Sequence, residues 1–348
     1  MSVRGDVVLE ARHLSREFRV RAGGGLFGQR RVSRAVEDVS VSLRAGEVLA
    51  VVGESGSGKS VLARMLARIV APTSGELILG GEVVNLSARR GLDYVSQVQL
   101  VLQDPFASVN PVRLIRHALE RPLAIHGTAK DDLDEQARAV LESVALSPAA
   151  EYLDRYPHEL SGGQLQRVNI ARGLAVNPRV LLADEPISML DVSVRLGVLN
   201  LLRSLCDERN LALMYITHDI ASARYVADET AVMYAGQVVE RARGTTVIDA
   251  PAHPYTKLLV SSVPNPDDLA SRHDHAGTPA AAAGFNEAGC RFSPRCPVAK
   301  DICHENQPPE VEVAPGHVSR CWLGASEAQR TAVTLSRGAT STGTDQSI

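Results

Sequence analysis

Val48-Leu49-Ala50-Val51-Val52 runs directly into Gly53-Glu54-Ser55-Gly56-Ser57-Gly58-Lys59-Ser60, and Val61-Leu62-Ala63-Arg64-Met65-Leu66 follows. An apolar run of strand length enters a loop with three glycines, and a helix-forming segment leaves it. The spacing, Gly, four residues, Gly-Lys-Ser, is that of a phosphate-binding loop. Glycines let successive backbone N–H groups turn inward around phosphate oxygens, where side chains would block them. The helix that starts there directs its positive dipole end at the same anion. Lys59 is expected to reach the β- and γ-phosphates, and the Ser60 hydroxyl to ligate Mg²⁺. Strand, loop and helix stand in the order that a ligand-free glycine turn would not require. The stretch predicts a nucleoside triphosphate site.

Working outward, the 348 residues are enough for one large domain with an appendage, or for two domains. Hydrophobic residues make up 45% and charged residues 22%, the balance of a globular protein with a sizeable core. A net charge of −3 argues against a nucleic-acid partner held by overall attraction. No run of about twenty apolar residues is present to span a membrane. Met1-Ser2-Val3-Arg4-Gly5-Asp6 lacks the apolar core of a secretion signal. A cytoplasmic chain keeps its thiols reduced, so the five cysteines read as metal ligands or core residues before disulfides.

Before the phosphate loop, Val7–Glu10 and Leu14–Val20 read as two short strands of an antiparallel edge. The glycine-rich basic stretch from Arg21 to Arg34 reads as a solvated hairpin loop. Val36 to Leu43 alternates like a strand, and Leu77–Leu79 and Val98–Leu102 are further strands. From Val112 to Tyr156 the period is helical, with Leu133, Ala137, Val140, Leu141 and Val144 on one face. A helical subdomain, about 104–175, is expected here, inserted into an α/β core.

Leu160-Ser161-Gly162-Gly163-Gln164 opens the next helix and forms a second anion-binding helix terminus. Val180-Leu181-Leu182-Ala183 then ends in Asp184-Glu185, as suits a central parallel strand with acids at its carboxyl end. Ser188-Met189-Leu190-Asp191 precedes a leucine-rich helix from about Val194 to Arg209. Leu211–Ile216 leads to Thr217-His218-Asp219, and a hairpin turns at Ala235-Gly236.

Taken in order, Phe18, the Gly53–Ser60 loop, Gln103, Leu160–Gln164, Asp184-Glu185, Ser188–Asp191 and His218 resemble the motif set of the ATP-binding cassette (ABC) ATPases. The resemblance covers about residues 7 to 250. It implies an α/β fold: a phosphate-loop ATPase core with an antiparallel β subdomain and the inserted helical subdomain. It also implies roles. Phe18 stacks on adenine, Asp184 holds Mg²⁺ through water, and Glu185 is the general base for the attacking water. Gln103 touches metal and water and reports to a transmembrane partner, while His218 contacts the γ-phosphate. Ser161, Gly162, Gly163 and Gln164 cap ATP on an opposite subunit, and Asp191 lies at the crossing of paired cassettes. Two such chains would enclose two nucleotides and hydrolyse ATP.

His253-Pro254-Tyr255-Thr256, then Cys290-Arg291-Phe292, Pro294-Arg295-Cys296-Pro297 and Cys303, resemble the C-terminal extension of the oligopeptide/dipeptide importer ATPases. Pro157-His158-Glu159 agrees. The resemblance implies a second ABC ATPase as partner, two membrane permeases, an extracellular solute-binding protein, and a place at the cytoplasmic face of the membrane. Ile187-Ser188-Met189-Leu190 departs from the commoner Thr-Ser-Ala-Leu toward branches that carry oligosaccharides, so both cargoes remain open. Cys290, Cys296, Cys303 and Cys321 are separated by five, six and seventeen residues, and four thiolates suit zinc or an iron–sulfur cluster. Relatives with this extension can hold a 4Fe–4S cluster, which the resemblance favours over zinc. Cys206, in the leucine-rich helix, reads as an inert core thiol.

The division expected is 1–250 for the nucleotide-binding domain, 251–325 for the four-cysteine extension, and 326–348 for a disordered tail. Pro264 to Gly284, with His273 and His275, reads as a linker. A soluble, non-transport ABC ATPase is the weaker alternative. Such proteins carry a long coiled coil between the glycine loops or two cassettes per chain, whereas 56 residues separate Gln103 from Leu160 here.

Overall fold

A computed structural model describes residues 3–22, 29–262 and 285–329. The expected linker with His273 and His275, the Gly23–Gly25 run and the tail beyond 329 lie outside the described residues.

Twelve strands are present among them: β1 Val7–Ala22, β2 Gln29–Arg44, β3 Val48–Val52, β4 Ser74–Leu79, β5 Glu82–Val83, β6 Val98–Val101, β7 Val180–Asp184, β8 Ala212–Thr217, β9 Glu229–Tyr234, β10 Gln237–Arg243, β11 Val311–Ala314 and β12 His317–Ser319. A four-stranded sheet has the order β2-β1-β4-β5, and its pairs are antiparallel. The second sheet has the order β11-β12-β10-β9-β3-β8-β7-β6. Its β6, β7, β8, β3 and β9 run parallel, and β10, β12 and β11 continue it in antiparallel pairs. Every residue of β3, β7 and β8 is buried, which is why these strands read as unbroken apolar runs.

Alternation along β3 divides the core. Val48, Ala50 and Val52 face the helical side, with Leu119, Leu141, Leu165 and Leu202. Leu49 and Val51 face the helix Lys59–Leu66 and the first sheet, with Leu62, Met65, Leu14 and Val39. The parallel order brings the carboxyl ends of β3, β7 and β8 to one rim. The phosphate loop, Asp184-Glu185 and Thr217-His218 therefore emerge side by side.

The helices Ile115–Ile125, Leu133–Glu142, Ala149–Leu153 and Gly162–Leu174 build the helical region. Ala137, Leu141 and Val144 are buried, with Leu133 and Val140 packed against them, as the period requires. Besides the Arg21–Arg34 stretch, which reads as a loop in the sequence but pairs as strand at Arg21-Ala22 and from Gln29 on, two points differ from the sequence reading. The two short strands expected before residue 21 are one strand, β1, whose pairing with β2 shifts register on either side of Leu14. His13 there takes φ 51, a left-handed kink that absorbs the break in the pattern. The second point is β11 and β12, which the sequence reading did not identify and which lengthen the core sheet beyond β10. Glu240 of β10 ties them in. Its buried carboxylate accepts from the backbone N–H groups of Ala252 (2.7 Å) and His253 (2.8 Å) and lies 2.6 Å from His317 Nε2. Among the described residues no helix is long and apolar enough to cross a membrane.

Candidate functional site

The phosphate loop leaves β3 through residues that only glycine satisfies. At Gly58, φ is +104 and a Cβ would stand 2.3 Å from the Ala35 carbonyl oxygen. At Gly53, φ is +153 and a Cβ would stand 2.2 Å from the Met233 carbonyl oxygen. Behind the loop the helix Lys59–Leu66 begins with no side-chain cap, so its first N–H groups stay open to an anion.

Lys59 Nζ donates back to the carbonyls of Gly53 (2.7 Å) and Glu54 (2.8 Å). Burial lowers its pKa, with Glu185, Asp184 and Glu54 acting in the opposite sense. The Ser60 hydroxyl donates to Asp184 Oδ1 at 2.9 Å. Burial raises the Asp184 pKa, while the Ser60 bond and Arg64 restrain the rise. A hydroxyl and a carboxylate side by side are the hard oxygen donors that Mg²⁺ takes, so Ser60 and Asp184 fit that ion.

Glu185 follows the end of β7 with φ 48, an unusual value for a residue with a side chain, and its N–H donates to the Ile216 carbonyl at 3.0 Å. Gln103 Nε2 donates to Glu185 Oε2 at 3.1 Å, and His218 Nδ1 lies 3.2 Å from Glu185 Oε1. Lys59, Ser60, Gln103, Glu185 and His218, with Ser55–Gly58, line a common cavity of about 490 Å³.

Other expected residues stand elsewhere. Phe18 is half-buried, with the Arg16 guanidinium 4.6 Å from its ring centre, and does not line this cavity. Ser161, Gly162, Gly163, Gln164 and Asp191 do not line it either. Ser161 caps the helix Gly162–Leu174: its hydroxyl accepts from the Gln164 N–H, and Gln164 Oε1 accepts from the Ser161 N–H at 2.9 Å. The same helix reaches the Gln103 loop. Asn169 donates to the Pro105 carbonyl at 3.1 Å and Arg172 to the Ser108 carbonyl.

The sequence reading missed the contacts made by the C-terminal region. Tyr255 Oη accepts from the Glu54 N–H at 2.9 Å, and Arg295 donates twice to the Glu54 carboxylate, at 2.9 and 3.0 Å. Tyr255 and Arg295 each stand within a motif of the sequence, yet nothing in their spacing points at residue 54.

Cys290, Cys296, Cys303 and Cys321 are free thiols. The Cys290 N–H donates to the Cys303 carbonyl at 2.7 Å, and burial, with the neighbouring cysteines, pushes the Cys290 thiol up to about 11. Among the described residues no three His, Cys, Asp or Glu side chains are grouped to hold a metal ion. As they stand, the four thiols are converged neither for zinc nor for an iron–sulfur cluster.

The ABC transporter family model matches residues 36–188, and the model of the oligopeptide/dipeptide transporter C-terminal region matches 239–303. The chain is similar to the oligopeptide transport ATP-binding protein AppF of Bacillus subtilis (strain 168), 41% identical over 91% of this chain and 98% of that protein. It is also similar to the dipeptide transport ATP-binding protein DppF of Haemophilus influenzae, 42% identical over 86% and 91%. In fold it is similar to the ATP-binding cassette MJ0796 solved as a dimer bound to ADP and Pi (TM-score 0.57, 24% identity, 68% of this chain and 98% of that one). A second likeness is to cbiO1 from Clostridium perfringens (TM-score 0.61, 24% identity, 70% and 92%). With a phosphate loop, a carboxylate pair and a histidine on one rim, and relatives of this identity along nearly its whole length, the chain belongs to the ATP-binding proteins of ABC transporters and is an ATPase.

Proposed function

We propose that this chain is the ATP-hydrolysing motor subunit of a membrane importer for oligopeptides or dipeptides, held at the cytoplasmic face of the membrane. The observation that carries the cargo is the match of residues 239–303 to the oligopeptide/dipeptide transporter C-terminal region, in relatives that align over almost the full chain. Residues 1–250 act as the nucleotide-binding domain, 251–325 as the extension and 326–348 as a tail.

Glu185 is the general base. Its two oxygens are held by Gln103 and His218 in the cavity wall, where the carboxylate can take a water proton. Lys59 exchanges its loop carbonyls for the β- and γ-phosphates, and the loop N–H groups surround the same oxygens. Ser60 and Asp184, with Gln103, would hold Mg²⁺, and the bound ion would supply neutralisation of phosphate charge. His218 contacts the γ-phosphate, and Phe18 stacks on adenine.

Ser161–Gln164 and Asp191 lie away from the chain's own cavity, which supports their work across a dimer with a second ABC ATPase. ATP closes the pair and hydrolysis opens it. Of two permeases, one docks on this chain, at a groove of about 520 Å³ lined by Leu92, Val95, Val109, Leu114, Ala118 and Ile125. Gln99 and Ser108, on either side of Gln103 in the chain, line the same groove, so a permease there senses the Gln103 loop. A solute-binding protein outside the cell supplies the cargo, and no nucleic acid is involved.

An iron–sulfur cluster on Cys290, Cys296, Cys303 and Cys321 belongs to the same proposal. The match to the oligopeptide/dipeptide transporter C-terminal region, which takes in three of the four cysteines, supports it, and the thiols would have to converge to hold it. Iron and sulfide analysis of anaerobically purified protein checks it; protein lacking both ends it.

Affinity purification from detergent-solubilised membranes tests the transport role. Recovery with two multi-span permeases and a second cassette ATPase is expected. Recovery alone from the soluble fraction would leave the ATPase and remove the importer.

A further inference from the structure

Glu54, the second residue of the phosphate loop, is held from three directions. Its carbonyl accepts from Lys59 Nζ at 2.8 Å, inside the loop. Its N–H donates to Tyr255 Oη at 2.9 Å, and its carboxylate receives both terminal nitrogens of Arg295, at 2.9 and 3.0 Å. The last two ties come from outside the phosphate-loop core, from the His253–Thr256 segment and the cysteine-bearing region.

The Arg295 side chain is only 9% exposed, against 38% for Glu54. Its guanidinium is flanked by the rings of Tyr234 and Phe292, each centred 5.8 Å away. Those rings pack with Tyr255 into one aromatic group, with centroid distances of 4.6 to 5.5 Å. The arginine therefore meets the loop with its rotamer already fixed, and a planar fork on a carboxylate is a directional, charge-assisted contact. A second strut runs alongside. Arg291 donates to Glu37 and to the Ala235 carbonyl, and the Gly236 N–H donates to the Ser57 carbonyl at 2.8 Å.

The inner and outer ties respond differently to nucleotide. Lys59 Nζ spends its three protons on the carbonyls of Gly53 and Glu54 and on Ser57 Oγ, so reaching phosphate gives up at least one of these and slackens the loop's internal brace. The ties from Tyr255 and Arg295 involve no atom that a phosphate would displace.

We infer that Arg295, assisted by Tyr255, is a positioning residue of the ATP site, through which the C-terminal region keeps the phosphate loop in its receiving shape when Lys59 turns to the ligand. This rests on the ATP-site reading above.

The test uses the full chain and a fluorescent ATP analogue. Arg295→Gln is expected to weaken binding about tenfold, the range of losing a hydrogen-bonded charge contact. Arg295→Lys is expected to recover part of the loss, because an ammonium restores charge without the fork. Glu54→Gln is expected to match Arg295→Gln, and the double variant to lose no more than either single one. Tyr255→Phe, which deletes one hydroxyl and keeps the aromatic packing, is expected to weaken binding while the melting temperature barely moves. Unchanged affinity in Arg295→Gln and Tyr255→Phe, losses that add fully in the double variant, or a fall in melting temperature alone would overturn the inference. Lys59→Ala separates the two failures: if it too binds the analogue normally, the ATP-site reading itself falls.

Discussion

Gln103 donates to one carboxylate oxygen of Glu185 at 3.1 Å, and through that contact the end of β6 is latched to the end of β7. His218 lies 3.2 Å from the other oxygen, at the end of β8. Three strand ends thus meet on one side chain.

Glu185→Gln preserves the shape of that junction and removes the base. Phosphate release is expected to fall by about 10²–10⁴-fold with ATP still bound. Light scattering with ATP should then find the chain trapped as a closed pair. Unchanged turnover would take Glu185 out of its role.

Gly163 is held to glycine by a neighbour in its own chain, whatever it meets across a dimer. A Cβ there would stand 2.4 Å from Val194 Cγ1, in the helix Val192–Arg209. Gly163→Ala is expected to cost about 1–3 kcal/mol of stability through overpacking. Val194→Ala added to it should return most of the loss, as read by thermal unfolding. Nucleotide affinity of the single chain should not move, because Gly163 does not line the cavity.

The parallel strands and the cavity residues were legible because each rests on local pattern: a fully buried strand is a continuous apolar run, and its acids sit where it ends. Glu185, Gln103 and His218 could be named as a set, but not the fact that one carboxylate joins them, which depends on strand order. β11 and β12 were not legible. They are four and three residues long and pair with each other, and β10, the strand through which β12 joins the core sheet, lies more than seventy positions earlier in the chain. Arg295 was read as a neighbour of cysteines, whereas its partner Glu54 is 241 residues away. Contacts of that span leave no periodic trace in sequence.

His253 should make the fold acid-sensitive. Burial lowers its pKa from 6.5 to about 4, and its Nδ1 accepts from the Tyr255 N–H at 3.0 Å. Glu240, whose carboxylate accepts from the His253 N–H, is the charged group beside it, and the Arg320 backbone forms a hydrogen bond that partly offsets the burial. The unfolded chain binds a proton at higher pH than the folded one, so stability is whole above 6.5 and falls as pH drops toward 4. His253→Asn keeps a helix cap without the titration. Melting temperature against pH should be flatter over that window in the variant, and an equal slope would exonerate His253.

Cys206 should be silent toward thiol reagents. It is fully buried, and burial pushes its thiol up to about 12. In the native protein at neutral pH, iodoacetamide should label the partly exposed cysteines of the C-terminal region and spare Cys206 until denaturant is added. Peptide mass mapping reads the order directly.

The pairing of β12 with β10 has a colloidal consequence. Ended at β10, the sheet would present a seven-residue strand with free backbone donors and acceptors, a template on which another copy could add itself. With β12 and β11 in place the outermost strand is four residues long and carries Glu312, whose carboxylate is engaged with the Gly316 N–H at 2.8 Å. A short, charged margin offers little to an incoming strand. The C-terminal region thereby acts as a stopper, keeping a sheet built for intramolecular pairing from growing between molecules.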